Sequence, residues 1–586
     1  MSAIQQLLTD HIDIWTAADT EKKSGRGRSS GNAASVYGIR KLRELILELA
    51  VRGKLVPQDQ NDEPASELLK RIRAEKAKLI AEGKIRKGQP LSPISEQEKP
   101  FDLPCGWDLA RLGQIGDWGA GATPLRSVSS YYGGKTPWFK SGELTADLIS
   151  SSEETITELA LKECSLRLNQ PGDVLIAMYG ATIGKTAILK VPGTTNQAVC
   201  ACTPNTGIFN RYLLVLLKAT KSNFIGQGAG GAQPNISREK IVSTIVAIPS
   251  TEEQHRIVAK VDELMALCDQ LETRHSNATE AHEKLVSHLL GTLTQSQSAA
   301  DFSANWQRIA AHFDTLFTTE ASIDALKQTL LQLAVMGKLV PQDPKEEPAS
   351  ELLKRIQAEK ASLIAEGKIK KDKPLSEISE EERPFDLPKN WEWVRLEDLM
   401  PEFQNGASSR GDTDGESVVV LRLADIKDRC ISLAEPRELL ISPNMIDKYR
   451  LLIGDILIVR VNGSADLVGG FIVCEHHFDG IYCDHFIRMR VSQDILNPKF
   501  LALVGVSQLV RDRIKDLFIT TAGQKTVNQG HIGSLLIPLL NLAEQHRIVA
   551  KVDELMALCD QLKSRIAAAS QLQHKLAEVL VEQAVA

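Results

Sequence analysis

Two stretches near the start of the chain have the apolar periodicity of amphipathic helices. Apolar residues recur every three or four positions in Arg40–Val51, and again in the run ASELLKRIRAEKAKLIAEGK that follows it. In that run Leu68, Ile72 and Ile80 fall near one face, and charged side chains occupy the others. Gly83 is a typical helix stop. The pattern predicts a helical block in this part of the chain.

A different period, 4,3,4,3, marks two later stretches as coiled-coil helices. The apolar positions of this predicted seam are Ile257, Val261, Leu264, Cys268 and Leu271 in the first stretch and Ile548, Val552, Leu555, Cys559 and Leu562 in the second. In the first stretch the pattern can be followed to Leu285 and Leu289. A helix from Glu544 to Glu582 would be roughly 55–60 Å long at 1.5 Å per residue, which indicates a spacer.

The regions between these helices, 107–250 and 391–540, have the pattern of mixed α/β domains. Asp173–Ala177 and Asp455–Val459 are short apolar runs that follow a glycine, as buried strands do. Further strands are predicted at Val418–Leu423 and Phe486–Val491, and helices at Arg211–Lys218 and Pro498–Ile514.

The chain is an internal duplication. Gly53–Ile85 and Gly337–Ile369 are identical at 28 of 33 positions, at an offset of 284. Glu253–Leu271 and Glu544–Leu562 are identical at 19 of 19 positions, at an offset of 291. The helical segments are therefore nearly identical between the copies, whereas the α/β regions have diverged.

This repetition predicts a layout of eight segments. They are 1–36, an N-terminal helix and flexible connector; 37–106, the first helical block; 107–250, the first α/β domain; 251–290, a long spacer helix; 291–320, a connector; 321–390, the second helical block; 391–540, the second α/β domain; and 541–586, the C-terminal spacer helix.

Composition narrows the class of protein. The 586 residues carry 69 Lys and Arg against 75 Asp and Glu, a net charge of −6, which argues against a chain coated in basic charge for packaging nucleic acid. The nine cysteines are scattered, which favours free thiols in a reducing cytoplasm. Neither a secretory signal nor an apolar run of membrane-spanning length is predicted.

No catalytic or metal-binding motif is predicted. Gly180–Thr186 resembles a P-loop but has one residue too few between its glycines. Cys474–His485 is rich in zinc-ligand types, but the spacing does not match common zinc sites and the first domain has no counterpart. Neither an amino-methyltransferase signature nor a hydrolase elbow occurs, so we expect no enzyme activity from this chain.

The repeated blocks GKLVPQ…EPASELL…EKAKLIAEGKI and EQHRIVAKVDELM, each closing on an α/β region, resemble the specificity subunit of a Type I restriction-modification system. Smaller traits agree, among them Thr123-Pro124, Gly172-Asp173-Val174-Leu175 and Gln233-Pro234-Asn235-Ile236-Ser237. The resemblance covers nearly the whole chain and extends to the longer-chain branch of the family.

The resemblance implies an α/β (α+β) fold with two target recognition domains, separated by two long helices that form an antiparallel coiled coil with pseudo-twofold symmetry. Each domain would read half of a split double-stranded DNA site, and the helices would set the gap. Two methyltransferase and two restriction/motor subunits would be the partners. S-adenosylmethionine, ATP and Mg are expected on those partners, and no cofactor is expected on this chain. The chain itself would be a non-catalytic subunit of a complex that acts as a site-specific deoxyribonuclease and an adenine-specific DNA methyltransferase.

Candidate DNA-contacting residues are polar and basic side chains of predicted loops, since bases and phosphates are read by such groups. They are Arg126, Ser127, Ser129, Tyr131, Tyr132, Lys135, Lys140, Tyr179, Lys185, Thr186, Gln233 and Asn235 in the first domain and Ser408, Ser409, Arg410, Arg422, Arg460, Asn462, Ser464, Gln524, Lys525, Thr526 and Asn528 in the second. For each one a solvated loop is the competing interpretation. Residues unique to one copy are better candidates for reading different half-sites.

Two alternatives remain open at this point. ATPase activity or methyl transfer by the isolated chain would support a nucleotide-dependent DNA enzyme acting alone. The other alternative is a duplicated helical scaffold that binds proteins, which the charge of the two domains can help to separate from a DNA reader. Residues 107–250 contain 13 Lys and Arg against 10 Asp and Glu, a charge of about +3, which suits a DNA reader. Residues 391–540 contain 16 against 20, about −4, which does not. The distribution of basic side chains over the surface has to discriminate between the two functions.

Overall fold

The computed structural model describes residues 11–17, 36–83, 91–228, 234–369, 377–408, 414–427, 429–433, 436–521 and 523–585. They form two compact units. Unit 1 contains the described residues up to Ala278 together with those from Ala569 onward, and unit 2 is Thr279–Ala568. The predicted flexible connector between the N-terminal helix and residue 36 lies outside the described residues.

Eighteen α-helices are present in the described part of the chain, besides short 3-10 turns. They are α1 Ile12–Ala17, α2 Tyr37–Val51, α3 Ala65–Ala81, α4 Leu112–Ile115, α5 Glu158–Glu163, α6 Asn210–Ala219, α7 Lys221–Gly226, α8 Arg238–Ser243, α9 Thr251–Gln295, α10 Ala299–Ala311, α11 Phe313–Leu316, α12 Glu320–Val335, α13 Ala349–Ala365, α14 Pro443–Tyr449, α15 Pro498–Val506, α16 Gln508–Leu517, α17 Gln529–Gly533 and α18 Leu542–Val585. The two helices with heptad patterns, α9 and α18, are the longest of these.

The strands belong to the two α/β domains. In unit 1 they are β1 Asp108–Arg111, β2 Gly116–Ala120, β3 Tyr132–Phe139, β4 Leu148–Ile149, β5 Thr155–Ile156, β6 Val174–Ala177, β7 Thr186–Leu189, β8 Thr194–Thr195, β9 Val199–Pro204 and β10 Ile245–Ile248. In unit 2 they are β11 Glu392–Arg395, β12 Glu402–Asn405, β13 Glu416–Leu421, β14 Ile426–Lys427, β15 Cys430–Ile431, β16 Arg437–Ile441, β17 Ile456–Val459, β18 Val461–Asn462, β19 Phe471–Val473, β20 Ile481–Tyr482, β21 Phe486–Arg490, β22 Ile519–Thr521, β23 Gln524–Thr526 and β24 Leu536–Leu539.

The main sheets of the two units share a core strand order, although, within the described ranges, unit 2 lacks a counterpart of β4 in its largest sheet and has two further small sheets, β14-β15 and β18-β23-β22. In unit 1 the largest sheet has the order β2-β9-β6-β7-β4, and in unit 2 it has the order β12-β21-β17-β19. A three-stranded sheet follows in each, β5-β3-β8 and β16-β13-β20, and an antiparallel pair closes each domain, β1-β10 and β11-β24. The duplication predicted from the helical segments therefore extends to the diverged domains, and the predicted mixed α/β fold is confirmed.

The long helices share a core with each other at both ends. In unit 1, Val261 near the start of α9 and Leu580 near the end of α18 belong to one apolar cluster. In unit 2, Val286 and Leu290 near the end of α9 join Cys559 of α18 in another. The first half of each helix is thus grouped with the last part of the other, which is the antiparallel order that the family resemblance implies.

The seam itself differs from a regular coiled coil. Four of its positions in α9 are buried (Ile257, Val261, Leu264 and Cys268), but they also pack in the cluster that holds the apolar face of α2. Further along, Leu285 is 49% exposed and Val286 is buried in its place. A straight helix drifts by about 20° per heptad from a 3.5-residue repeat, so the predicted pattern does not continue to the helix end.

Two element boundaries differ from prediction. Helix α9 continues to Gln295, and α10 occupies Ala299–Ala311, where a connector was expected. The Ser298 hydroxyl accepts a hydrogen bond from the Asp301 amide, an N-cap that starts α10. The predicted helix Pro498–Ile514 is divided at Ser507, which has an extended backbone.

All nine cysteines are free, as the sequence predicted. Within the described residues, no helix has both the length and the apolar character needed to cross a membrane.

Candidate nucleic-acid interface

Each α/β domain is joined to its long helix by a buried cluster of hydrogen bonds, here named the junction node. In unit 1 the indole N–H of Trp107 donates to Oε2 of Glu253 at 3.1 Å. The Phe209 amide donates to Oε1 of Gln254 at 2.8 Å, and Arg256 forms a 2.5 Å ion pair with Asp62 of the helical block. These contacts fix the start of α9 against both the domain and the helical block.

Unit 2 repeats the junction node. Trp391 donates to Glu544 at 3.1 Å, and the Asn497 amide donates to Gln545 at 2.7 Å. Arg547 forms a 2.5 Å ion pair with Glu346. Part of the 19-residue identity between the helices therefore has an intramolecular reason, where the sequence alone suggested only a shared docking partner.

Burial changes the ionisation of the node. It raises the pKa of Glu253 above its ordinary value, against the opposing hydrogen bonds from Gln58 and Trp107. Burial likewise raises the pKa of Glu544, whose Oε1 has no hydrogen-bond partner within the described structure. The adjacent ion pair has the opposite effect on its own carboxyl group, because the hydrogen bond from Arg256 lowers the pKa of Asp62.

Not all of the repeated residues are buried. Leu267 in α9 and Leu558 in α18 occupy the same position of the 19-residue repeat and are 41% and 48% exposed. An identical exposed leucine in both copies has no intramolecular role comparable to that of the node.

In the first domain a charged cluster surrounds Arg126, one of the predicted DNA-contacting residues. Its guanidinium lies 4.8 Å from the ring centroid of Tyr132 and 5.0 Å from that of Trp138. It also forms a 2.5 Å ion pair with Glu154, to which Lys140 binds at 2.7 Å. The hydrogen bonds from Arg126 and then Lys140 lower the pKa of Glu154 to about 2. Both cations are therefore partly neutralised within the domain.

Lys140 lines an open cavity of about 840 Å³, named here the Lys140 cavity. Its wall is polar, with Ser141, Ser152 and Asn196 beside the carboxylates of Glu143 and Glu153, among others. The hydroxyl and amide groups of this wall both donate and accept hydrogen bonds, and its carboxylates accept them.

The second domain has a smaller cavity of about 210 Å³ beside Arg422, the Arg422 cavity. Arg437 and His485 also line it, and Val420 and Leu439 contribute apolar walls. Asp425 binds Arg422 through both carboxylate oxygens, at 2.9 and 3.0 Å. Burial opposes ionisation of Asp425, but the hydrogen bonds from Arg422 outweigh it and its pKa lies below the ordinary value.

A second group of candidates meets at a short strand contact in each domain. Tyr179, 42% exposed, is bridged to Asn235 by backbone pairing. In unit 2, Asn462 of β18 pairs with Lys525 of β23, and the Lys525 ammonium donates to the Gly463 carbonyl at 3.2 Å. Candidates far apart in the sequence are thus brought to one surface.

The comparisons with known proteins agree on one family. Residues 104–281 match the family model described as "Type I restriction modification DNA specificity domain". Over its full length the chain is 40% identical to the Escherichia coli protein named "Type I restriction enzyme EcoAI specificity subunit" and 39% identical to the EcoEI specificity subunit, each of which it covers completely. The chain belongs to the family of Type I restriction enzyme specificity subunits.

Among solved structures, the HsdS subunit from Thermoanaerobacter tengcongensis matches this specificity subunit at a TM-score of 0.40 and 19% identity, covering 83% of this chain and 99% of that one. Full-length similarity to specificity subunits does not favour the alternative of a scaffold that binds proteins only.

The remaining candidates of this specificity subunit differ in accessibility. Ser127, Ser129, Lys135, Ser408, Ser464, Gln524 and Asn528 are exposed, and Tyr131, Lys185, Arg460 and Thr526 are half-buried. Some of these side chains have structural partners: Tyr131 donates to Glu163 at 2.9 Å, and Asn528 caps α17 through the His531 amide at 2.8 Å. Gln233, Ser409 and Arg410 lie outside the described residues.

One candidate is poorly accessible to DNA. Thr186 is 6% exposed and forms the first residue of β7, so its hydroxyl points into the domain and has no hydrogen-bond partner among the described residues. The apparent loop that ends at Lys185 in the sequence is shorter than expected, because the strand begins immediately after it.

Sequence reasoning missed four residues at or beside the cavities: Asn196, Glu154, Arg437 and His485. His485 belongs to the segment Cys474–His485, which the sequence marked only as a possible metal site. No local motif marks the other three, which lie in or directly beside strands that pair with another segment.

A cluster of potential metal ligands also occurs in the second domain, where side-chain atoms of Cys483, Asp484 and His485 lie within 4.8 Å of one another. Arg422 and Arg437 line the same cavity as Cys483 and His485, and their positive charge disfavours a divalent cation there. The absence of a metal thus stays a prediction.

Proposed function

We propose that this chain is the DNA sequence-recognition subunit of a Type I restriction-modification complex, in which each α/β domain reads one half of an asymmetric, bipartite site. One observation carries this: two domains with the same core strand order are each held by a junction node of the same kind, yet their exposed cavities differ in lining and charge. A repeated frame suits two half-sites, since half-site geometry mirrors protein symmetry, and different surfaces suit two different sequences.

The chemistry belongs to partner subunits. Two methyltransferase subunits would bind S-adenosylmethionine and methylate adenine, and two restriction/motor subunits, with ATP and Mg, would cleave unmodified DNA. This chain, working in the cytoplasm, directs them by binding DNA. The helices α9 and α18 set the gap between the half-sites.

Residues that are identical in the two long helices and also exposed support two equivalent docking surfaces. The leucines at 267 and 558 occur in the same 19-residue sequence and are both exposed. Large apolar side chains on an exposed surface often mark protein interfaces. Two copies of one surface suit two copies of one partner.

The −4 charge of the second domain is compatible with this function. Phosphate contacts supply most non-specific affinity, and basic clefts on partner subunits can provide them. Discrimination needs only a few well-placed groups on the recognition domains.

Methylome sequencing of cells that carry the whole complex tests the proposal. We expect methylated adenines in a split, non-palindromic motif, and a continuous motif would contradict it. Replacing residues 107–250 by the corresponding domain of another family member should change one half-site only. The matched exchange of residues 391–540 should change the other half, and a change in both halves from either exchange would refute the modular assignment.

A further inference from the structure

The Lys140 and Arg422 cavities occupy the same place in the two copies of the fold. The first lies where the parallel strands β3 and β8 end, and the second lies where the parallel strands β13 and β20 end. After the first strand each chain makes a tight turn closed by an acidic residue: the Lys140 amide donates to Glu143 at 2.6 Å and the Arg422 amide to Asp425 at 2.8 Å.

The second strand of each pair confirms the correspondence. The Ala122 amide donates to the Thr195 carbonyl at 3.0 Å, and the Ala407 amide donates to the Tyr482 carbonyl at 2.9 Å. The next residues along, Asn196 and Cys483, are therefore equivalent, and each lines its cavity.

At one equivalent position the charge is reversed. The Trp138 amide donates to the Glu154 carbonyl at 3.0 Å, so Glu154 lies across from the residue two positions before Lys140. In unit 2, Arg437 pairs with Val420, which lies two positions before Arg422. Glu154 and Arg437 thus occupy matching sites, an acid in one domain and a base in the other.

The two charges are also used differently. Glu154 binds Arg126 and Lys140, which partly neutralises those cations. Arg437 is exposed and has no ion-pair partner among the described residues, and it lines the Arg422 cavity directly. Its donors are free to bind an external acceptor.

We propose that the two cavities are equivalent DNA-contact sites, and that the Glu154/Arg437 position makes them contact different groups. The Arg422 cavity takes a hydrogen-bond acceptor of DNA, either the O6/N7 edge of a guanine or a phosphate oxygen, through Arg437. The Lys140 cavity does not bind this acceptor, because Lys140 is paired with Glu154 and the wall carries hydroxyl and carboxylate groups. This inference rests on the proposed function and specifies where each domain contacts its half-site.

The surroundings of Arg437 suit such a contact. Val420 and Leu439 form apolar walls, and a charged hydrogen bond gains strength where water is excluded. A guanidinium binds guanine through two parallel hydrogen bonds, whereas a phosphate also accepts a lysine. The two sources of the acceptor can therefore be separated by substitution.

The test measures how tightly the full chain, assembled with its methyltransferase partner, binds DNA duplexes. The duplexes carry the motif found by methylome sequencing or single-base variants of it. Arg437→Ala is expected to weaken binding roughly 5- to 150-fold. If the acceptor is guanine, Arg437→Lys loses as much as alanine does and discrimination relaxes at one base pair of one half-site. If it is a phosphate, Arg437→Lys retains most of the binding, and alanine weakens all sequences equally and lowers the salt slope by about 1.

Arg450→Ala is the matched control. Arg450 is an exposed arginine of the same unit that does not line the cavity, and among the described charged groups it binds only Asp447. The inference would be overturned if Arg437→Ala bound DNA as tightly as this control does. It would also be overturned if Arg437→Ala changed the half-site that unit 1 reads. Either result leaves a bipartite motif in place and the proposed function intact. A continuous motif in the wild-type methylome would instead contradict the proposed function itself.

Discussion

The indole N–H of Trp107 donates a 3.1 Å hydrogen bond to the buried carboxylate of Glu253, joining the first residue of a recognition domain to the first turns of a spacer helix. Trp107→Phe replaces the two-ring indole by a single ring, so it leaves a buried acceptor without its donor and also removes some packing. We expect the free energy of unfolding of unit 1 to fall by about 1–3 kcal/mol, measured by urea denaturation.

Trp391→Phe, the same change in unit 2, should have a similar effect because its hydrogen bond to Glu544 is also 3.1 Å long. Trp306→Phe provides the control, since Trp306 is 38% exposed. A midpoint for Trp107→Phe no lower than that of Trp306→Phe would show that the hydrogen bond contributes nothing.

The raised pKa of Glu253 predicts a pH dependence of stability. Because burial raises it above the ordinary value of 4.5, the folded chain binds this proton more tightly than the unfolded chain. The corresponding stability is complete below pH 4.5 and is lost as the pH rises through the folded-state pKa. Glu253→Gln removes this loss, and its side-chain carbonyl can still accept from Trp107.

Thermal unfolding between pH 4 and 8 measures the effect. We expect Glu253→Gln to gain stability relative to the wild type as the pH rises, with the difference largest at pH 8. Glu252→Gln is the control, because Glu252 is the exposed neighbour on the same helix. Parallel pH profiles for wild type and Glu253→Gln would contradict the prediction.

Gly53 and Gly83 have the same backbone conformation, with φ of +69°, but different surroundings. A Cβ at Gly53 would lie 2.5 Å from Pro104 and 2.9 Å from the Trp107 ring, whereas none of the described atoms lies within 4 Å of one at Gly83. We expect Gly83→Ala to cost about 1–2 kcal/mol, the left-handed penalty alone, and Gly53→Ala about 2–4 kcal/mol. Urea denaturation of the two variants measures the difference. Equal losses would show that the node adjusts to the added methyl group.

The parts of the fold that follow local periodicity could be predicted from the sequence. Helix α2 and the strands at Val174–Ala177 and Ile456–Val459 lie within a few residues of their predicted positions, because apolar spacing reports burial directly. The cavities could not be predicted in this way. Asn196 meets Lys140 only because β8 pairs in parallel with β3, and no spacing in the sequence specifies that pairing.

The duplication itself was informative in a way that single motifs were not. It predicted two related units, and the shared core strand order of their sheets agrees with this. It could not separate residues repeated for folding from residues repeated for binding. The structure makes that separation by burial: Glu253 and Gln254 are buried in the junction node, whereas Leu267 of the same repeat is exposed.

Exposure of Leu267 and Leu558 predicts where the partner subunits bind. Leu267→Asp places a charge on one docking surface without disturbing a packed core, so the chain should still fold. Truncating or charging a central apolar contact costs 2 kcal/mol or more, about 30-fold in affinity. We expect native mass spectrometry to show assemblies with one methyltransferase subunit for Leu267→Asp or Leu558→Asp, and none for the double variant.

Leu285→Asp is the matched control, because Leu285 is 49% exposed on the same helix but lies outside the 19-residue repeat. It should retain both partners. If the double variant also retained both partners, the exposed part of the repeat would not be a docking surface, and the identity of the two helices would be explained by the junction nodes and helix packing alone. If Leu285→Asp also lost partner subunits, the docking surface would extend beyond the 19-residue repeat. The two docking sites would then differ in sequence.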